Sequence, residues 1–130
     1  MAGVPVPGDR RSKRGRLSRS ADFDRVYRQG RAHGSRVLVL HTFPRADEDE
    51  ARFGLSVSRK VGGAVERNRV KRLLREAYRH EADRVASGHD IVLVARPEAR
   101  ALADREGLDG IRAALLELLE RAGLLAEAAR

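Results

Sequence analysis

Residues 52–79 read RFGLSVSRKVGGAVERNRVKRLLREAYR, and the hydrophobic period changes once within them. Over 52–58 the period is two. Phe53, Leu55 and Val57 fall on one side and Gly54, Ser56 and Ser58 on the other, as in a half-buried strand. Over 66–80 the period is that of a helix. With Asn68 as zero and about 100° per residue, the apolar set lies together: Val70 at about 200°, Leu73 at about 140°, Leu74 at about 240° and Ala77 at about 180°. Opposite it stand Lys71 at about 300°, Arg72 at about 40°, Arg75 at about 340° and Arg79 at about 20°. One face is built to dock on a sheet; the other presents four cations with an amide at their N-terminal end. The connector between strand and helix, Arg59-Lys60-Val61-Gly62-Gly63-Ala64, is basic, and its paired glycines let the backbone turn sharply. It satisfies neither the Walker pattern nor GxGxxG, so it reads as a basic connector and not as a mononucleotide site.

The flanking elements follow the same rules. Residues 36–43 (RVLVLHTF) are β-branched and apolar and predict a strand. Pro44 and the acidic stretch Asp47–Glu50 then predict a solvated loop, through which this strand and 52–58 are expected to pair as a hairpin. Upstream, Ser20 is the expected N-cap of a short helix with Asp22 and Asp24 in its first turn and Gly30 past its end. Phe23, Val26 and Tyr27 give that helix one apolar edge. Downstream, Ser87–Gly88 breaks the pattern, and 90–95 (DIVLVA) is a short apolar strand stopped by Pro97. Leu108, Ile111, Leu115, Leu118 and Leu119 predict a final amphipathic helix, with Asp104 or Asp109 near its start. The order α–β–β–α–β–α defines an α+β class with helices packed over a small sheet. Residues 1–15, mixing Pro, Gly and basic residues, predict a disordered basic arm; 16–125 form a single domain and 126–130 a tail.

Composition narrows the function. At 130 residues the chain is the size of one domain. No apolar run reaches the ~20 residues of a membrane span, and no apolar segment follows the basic N-terminus as in a secretory signal. Zero cysteines exclude disulfides, thiolate metal sites and cysteine nucleophiles, and the expected address is the cytoplasm. The net charge of +8 and pI near 11.0 put polyanions first among partners. An arginine skew alone carries little information, because base composition also produces one; its distribution carries more. Residues 1–45 are net +8 and 52–84 net +6, whereas 46–51 are net −4 and 85–130 net −2. The positive field is directed.

Guanidinium groups suit phosphates because their planar fork donates two hydrogen bonds to one anion. A solvated helix face would mix signs at i, i+4, but Glu66, Glu76 and Glu81 lie elsewhere on the wheel, so the cations are expected to be mostly unpaired. Phe23 and Tyr27 share one helix edge in a chain with only five aromatics. They suit either the core or the stacking of single-stranded bases, and the Tyr27 hydroxyl favours a wet edge. Catalytic groups are absent from the pattern. His33, His41, His80 and His89 are scattered, no GxSxG elbow occurs, and no side chain is expected to be a nucleophile, a general base or a metal ligand.

The run Arg67-Asn68-Arg69-Val70-Lys71-Arg72-Leu73-Leu74-Arg75-Glu76, with Phe53-Gly54-Leu55-Ser56-Val57-Ser58-Arg59-Lys60-Val61-Gly62 before it, resembles the protein component of bacterial ribonuclease P. The helix is similar to that family's RNR motif, RNR-x-KR-x-x-RE, and the likeness extends from about Leu17 through the last helix. The resemblance implies a small α+β fold with a left-handed βαβ crossover, similar to a domain of a ribosomal small-subunit protein. It implies a partnership with a large catalytic RNA that removes the 5′ leader from precursor tRNA using Mg²⁺ held mainly by the RNA. The residues expected to face that RNA are Arg59, Lys60, Arg67, Asn68, Arg69, Lys71, Arg72 and Arg75. The cleft expected to hold the single-stranded leader has its two aromatic positions at Phe23 and Tyr27. No membrane and no obligate protein partner are implied. Two other readings of the residues remain at this stage: a ribosome-associated or assembly RNA-binding protein of related fold, and a DNA binder using the basic helix in a major groove. The second lacks a helix-turn-helix companion or a dimerising segment.

Overall fold

The computed structural model describes residues 16–17 and 19–125, so the expected arm at 1–15 and tail at 126–130 lie outside the described residues. The elements are α1 (Ser20–Gln29), β1 (Arg31–Gly34), β2 (Leu38–Pro44), β3 (Arg52–Val57), α2 (Ala64–Glu81), a short 3-10 turn (Ala82–Arg84), β4 (His89–Ala95) and α3 (Glu98–Arg121). The α+β class and the expected order hold, with the short strand β1 added. Its sequence, RAHG, has no apolar alternation, and among the described residues its outer edge has no neighbouring strand, as befits a brief polar edge strand.

The four strands run in the order β1-β2-β4-β3. β2 is antiparallel to both β1 and β4, and β3 is parallel to β4, with Val57 and Leu38 both opposite Ala95. The expected hairpin between β2 and β3 is therefore incorrect: β4 lies between them. The reason is that β4 is apolar on both faces, with Ile91, Val92 and Leu93 fully buried, and a strand of that kind needs cover on both sides and both edges. The segment after Pro44 is a crossing, not a turn. Arg45 anchors it, donating from Nη1 to the Asp90 carboxylate at 2.7 Å and the His89 carbonyl at 2.9 Å. Its Nη2 donates to the carbonyls of Asp49 and Glu50. Arg52 grips the same Asp90 in bidentate fashion, at 2.8 Å for each bond. Burial opposes ionisation of Asp90, but the two guanidiniums outweigh it and hold the carboxyl below its ordinary value.

One sheet face carries the main core, in which Leu40 and Leu93 meet Val70 and Leu74 of α2 and Ile111, Leu115 and Leu119 of α3. The other face is covered by α1 through Val26, with Leu17 and Val92 beside it. α1 starts differently from expectation. Arg19 occupies the N-cap with no side-chain cap, and Ser20 is already helical. Asp22 ties the first turn down instead, meeting Arg25 at 3.2 Å and Arg52 at 3.9 Å.

α3 begins at Glu98, directly after Pro97, so Asp104 and Asp109 lie inside the helix and not at its start. Gly107 interrupts it with φ 59° and ψ −144°, a conformation open only to glycine without strain. The phase of the apolar residues changes there, which hid the first half of the helix in the sequence. No helix among the described residues is long and apolar enough to cross a membrane.

Candidate nucleic-acid interface

α2 is positioned by its buried side, Val70, Leu74 and Ala77, with Leu73 half-buried. Tyr78 stacks flat on Phe53 of β3, with ring centroids 3.9 Å apart and planes 8° apart. Burial, with Glu50 behind it, pushes the Tyr78 phenol above its usual range. At the other end, the Gly63 N–H donates to Glu66 Oε1 at 3.1 Å, so the helix start is capped from within. These contacts fix which side of α2 faces water.

That side carries Asn68, Arg72, Arg75 and Arg79, all exposed, with Lys71, Arg67 and Arg69 half-buried along its borders. Arg59 and Lys60 continue it, exposed, onto the connector. Among the described residues Lys71, Arg72 and Arg75 form no ion pair. Arg79 departs from the expected pattern: Glu76, three residues earlier, pairs with it and stands 3.4 Å from His80 Nε2. Arg69 is likewise tied across to Asp104 of α3. Arg75 sits near Arg16, and partial burial together with that like charge lowers its pKa from the ordinary guanidinium value. A cation pressed by another cation gains from an incoming anion.

On the opposite sheet face a row of rings crosses the strands. Phe23 lies over β3, where a side chain at Gly54 would come within 2.6 Å of the ring, so only glycine seats it. Phe23 meets Tyr27 edge-on at 6.3 Å, and Tyr27 meets His41 of β2 edge-on at 4.9 Å. Phe23 is half-buried and Tyr27 is 40% exposed, so the pair is neither wholly core nor wholly free. Burial lowers the His41 pKa, which keeps the imidazole neutral near pH 7. On the same sheet face Val39, Val94 and Ser56 are half-buried. The place of His41, Gly54, Arg16 and Asp104 beside these surfaces was not read from the sequence. His41 was within reach, since it alternates with Val39 and Phe43 on the face that α1 covers.

Among the described residues no three His, Asp or Glu side chains converge as metal ligands. In the acidic loop the Asp47 carboxylate is held by Arg45 and accepts the Asp49 N–H.

A sheet with a cationic helix packed on one face and a row of aromatic rings on the other defines an α+β protein with two chemically distinct surfaces. A family model described as Ribonuclease P matches residues 12–123. The ribonuclease P protein component of Clostridium novyi is 39% identical over 113 residues, covering 86% of this chain and 96% of that one. Among solved structures, the RNase P protein of Staphylococcus aureus superposes with a TM-score of 0.77 at 32% identity, over 85% of this chain and 97% of that chain. That of Thermotoga maritima gives 0.74 at 31% identity, over 82% and 96%. The chain belongs to the ribonuclease P protein family.

Proposed function

We propose that this chain is the protein subunit of ribonuclease P, the ribonucleoprotein endonuclease that matures the 5′ end of precursor tRNA in the cytoplasm, with hydrolysis carried by the RNA. Family membership supports the assignment, and the observation that gives it a mechanism is the cationic face of α2, where Lys71, Arg72 and Arg75 form no ion pair among the described residues. In this reading Arg59, Lys60, Arg67, Asn68, Arg69, Lys71, Arg72 and Arg75 face the catalytic RNA, with Lys71, Arg72 and Arg75 meeting phosphates directly. Arg69, held by Asp104, positions the RNA-facing surface against α3. The groove edged by Phe23 and Tyr27 holds the single-stranded leader by stacking, worth roughly 1–3 kcal/mol per base. Mg²⁺ would be held by RNA oxygens and supply a metal-activated water. The protein's cations screen phosphate repulsion, so that substrate and Mg²⁺ are retained together.

The test is cleavage of precursor tRNA by a bacterial RNase P RNA at low Mg²⁺, with and without this protein. Strong stimulation that is lost in Arg72→Ala/Arg75→Ala is expected, and it should shrink at saturating Mg²⁺. No stimulation of a competent RNA by folded protein overturns the assignment. Phe23→Ala is expected to weaken leader-bearing substrate while sparing mature tRNA; equal losses for both would make Phe23 a core residue only.

A further inference from the structure

The register of the sheet brings together cations that no motif connects. β2 starts where β3 and β4 end: Leu38 and Val57 are both opposite Ala95. The ladder continues one step further, with the Arg96 N–H donating to the Val37 carbonyl at 2.9 Å. The residues just outside this end are therefore Arg36 before β2, Arg96 after β4, and Arg59 and Lys60 after β3. All four are exposed, and among the described residues none forms an ion pair. From β2 through β4 to β3 the row spans two strand spacings, about 10 Å. Arg100 of α3 stands behind it, its Nη1 3.2 Å from where a Gly62 side chain would begin. Among the described residues the carboxylates at this end are Glu66, which faces Arg100 at 3.6 Å and caps Gly63, and the exposed Glu98.

We propose that Arg36 and Arg96 bind backbone phosphates of the catalytic RNA, extending the α2 face sideways across the end of the sheet. This rests on the reading above, because Arg59 and Lys60 belong to both surfaces and make them continuous. Neither Arg36 nor Arg96 lies in the RNR helix or its connector. Each comes from a different segment, and only the β2–β4–β3 order makes them neighbours. Guanidiniums spaced along an edge suit successive phosphates of one RNA strand and carry no base readout.

The experiment titrates the full chain against the catalytic RNA over a salt series. Arg36→Gln/Arg96→Gln is compared with Arg72→Ala/Arg75→Ala and with Arg31→Gln, whose exposed side chain lies at the opposite end of the sheet. The log–log salt slope of the Arg36/Arg96 variant is expected to flatten by roughly 1.4, about 0.7 for each lost contact, with the Arg31 variant unchanged. Arg36→Lys/Arg96→Lys, which keeps the charge, is expected to retain the parental slope and guards against a folding defect. If the Arg72/Arg75 variant flattens and the Arg36/Arg96 variant does not, the row is overturned and the proposed function stands. If neither flattens, both fall. A second arm measures precursor tRNA affinity of the holoenzyme at saturating protein. A loss confined to that arm would assign the row to the substrate and overturn the proposal.

Discussion

The sheet has two ends, and both are rich in arginine. Where β2 finishes and β3 and β4 begin, Arg45 and Arg52 converge on buried Asp90, with Asp47 and Asp22 completing the set. At the other end Arg36, Arg59, Lys60 and Arg96 stand exposed and meet no carboxylate among the described residues. The same side-chain chemistry serves two purposes, and the difference lies in what the topology places opposite it. Arginine count therefore says little about an RNA surface; the presence or absence of an opposing carboxylate says much more.

The contrast is open to attack, beginning with its largest consequence. Asp90→Asn leaves two guanidiniums facing an amide and is expected to cost about 3–5 kcal/mol in denaturant unfolding. A cost below about 1 kcal/mol would make this cluster no different from a surface ion pair. Acid should expose the same asymmetry. Asp90 titrates lower in the folded protein than in the unfolded chain, so its contribution is full above roughly pH 4 and is lost as pH falls further. The parent's stability should thus fall more steeply below pH 4 than that of Asp90→Asn. Arg72→Ala/Arg75→Ala should leave unfolding nearly unchanged while flattening the RNA salt slope by roughly 1.4. The smallest effect belongs to Arg36→Gln, expected within about 0.5 kcal/mol of the parent in unfolding. A larger loss would show that the open end is also structural.

Much of this was legible in the sequence because it is local. The period of 66–80 places Val70, Leu74 and Ala77 inside and Arg72 and Arg75 outside, as observed. The apolar run at 90–95 already marks a strand, and its two-sided character contains the information that it is central. What the sequence withholds is partnership at a distance. Asp90 meets Arg45 and Arg52 across separations of 45 and 38 residues, and no periodicity announces that. The same non-locality made 36–43 and 52–58 look like a hairpin. Two misses had local signals. Glu76 and Arg79 stand about 60° apart on the helical wheel, near enough to pair. His41 alternates onto the face that α1 covers.

The placement of β4 also sets a timetable. The strand that fills the middle of the sheet is the last one synthesised, so on the ribosome β2 and β3 emerge with open edges and no shared neighbour. Val92 and Val94, which pack beneath α1, arrive with it, as does Arg96. Both faces of the sheet are therefore completed in one late, long-range event.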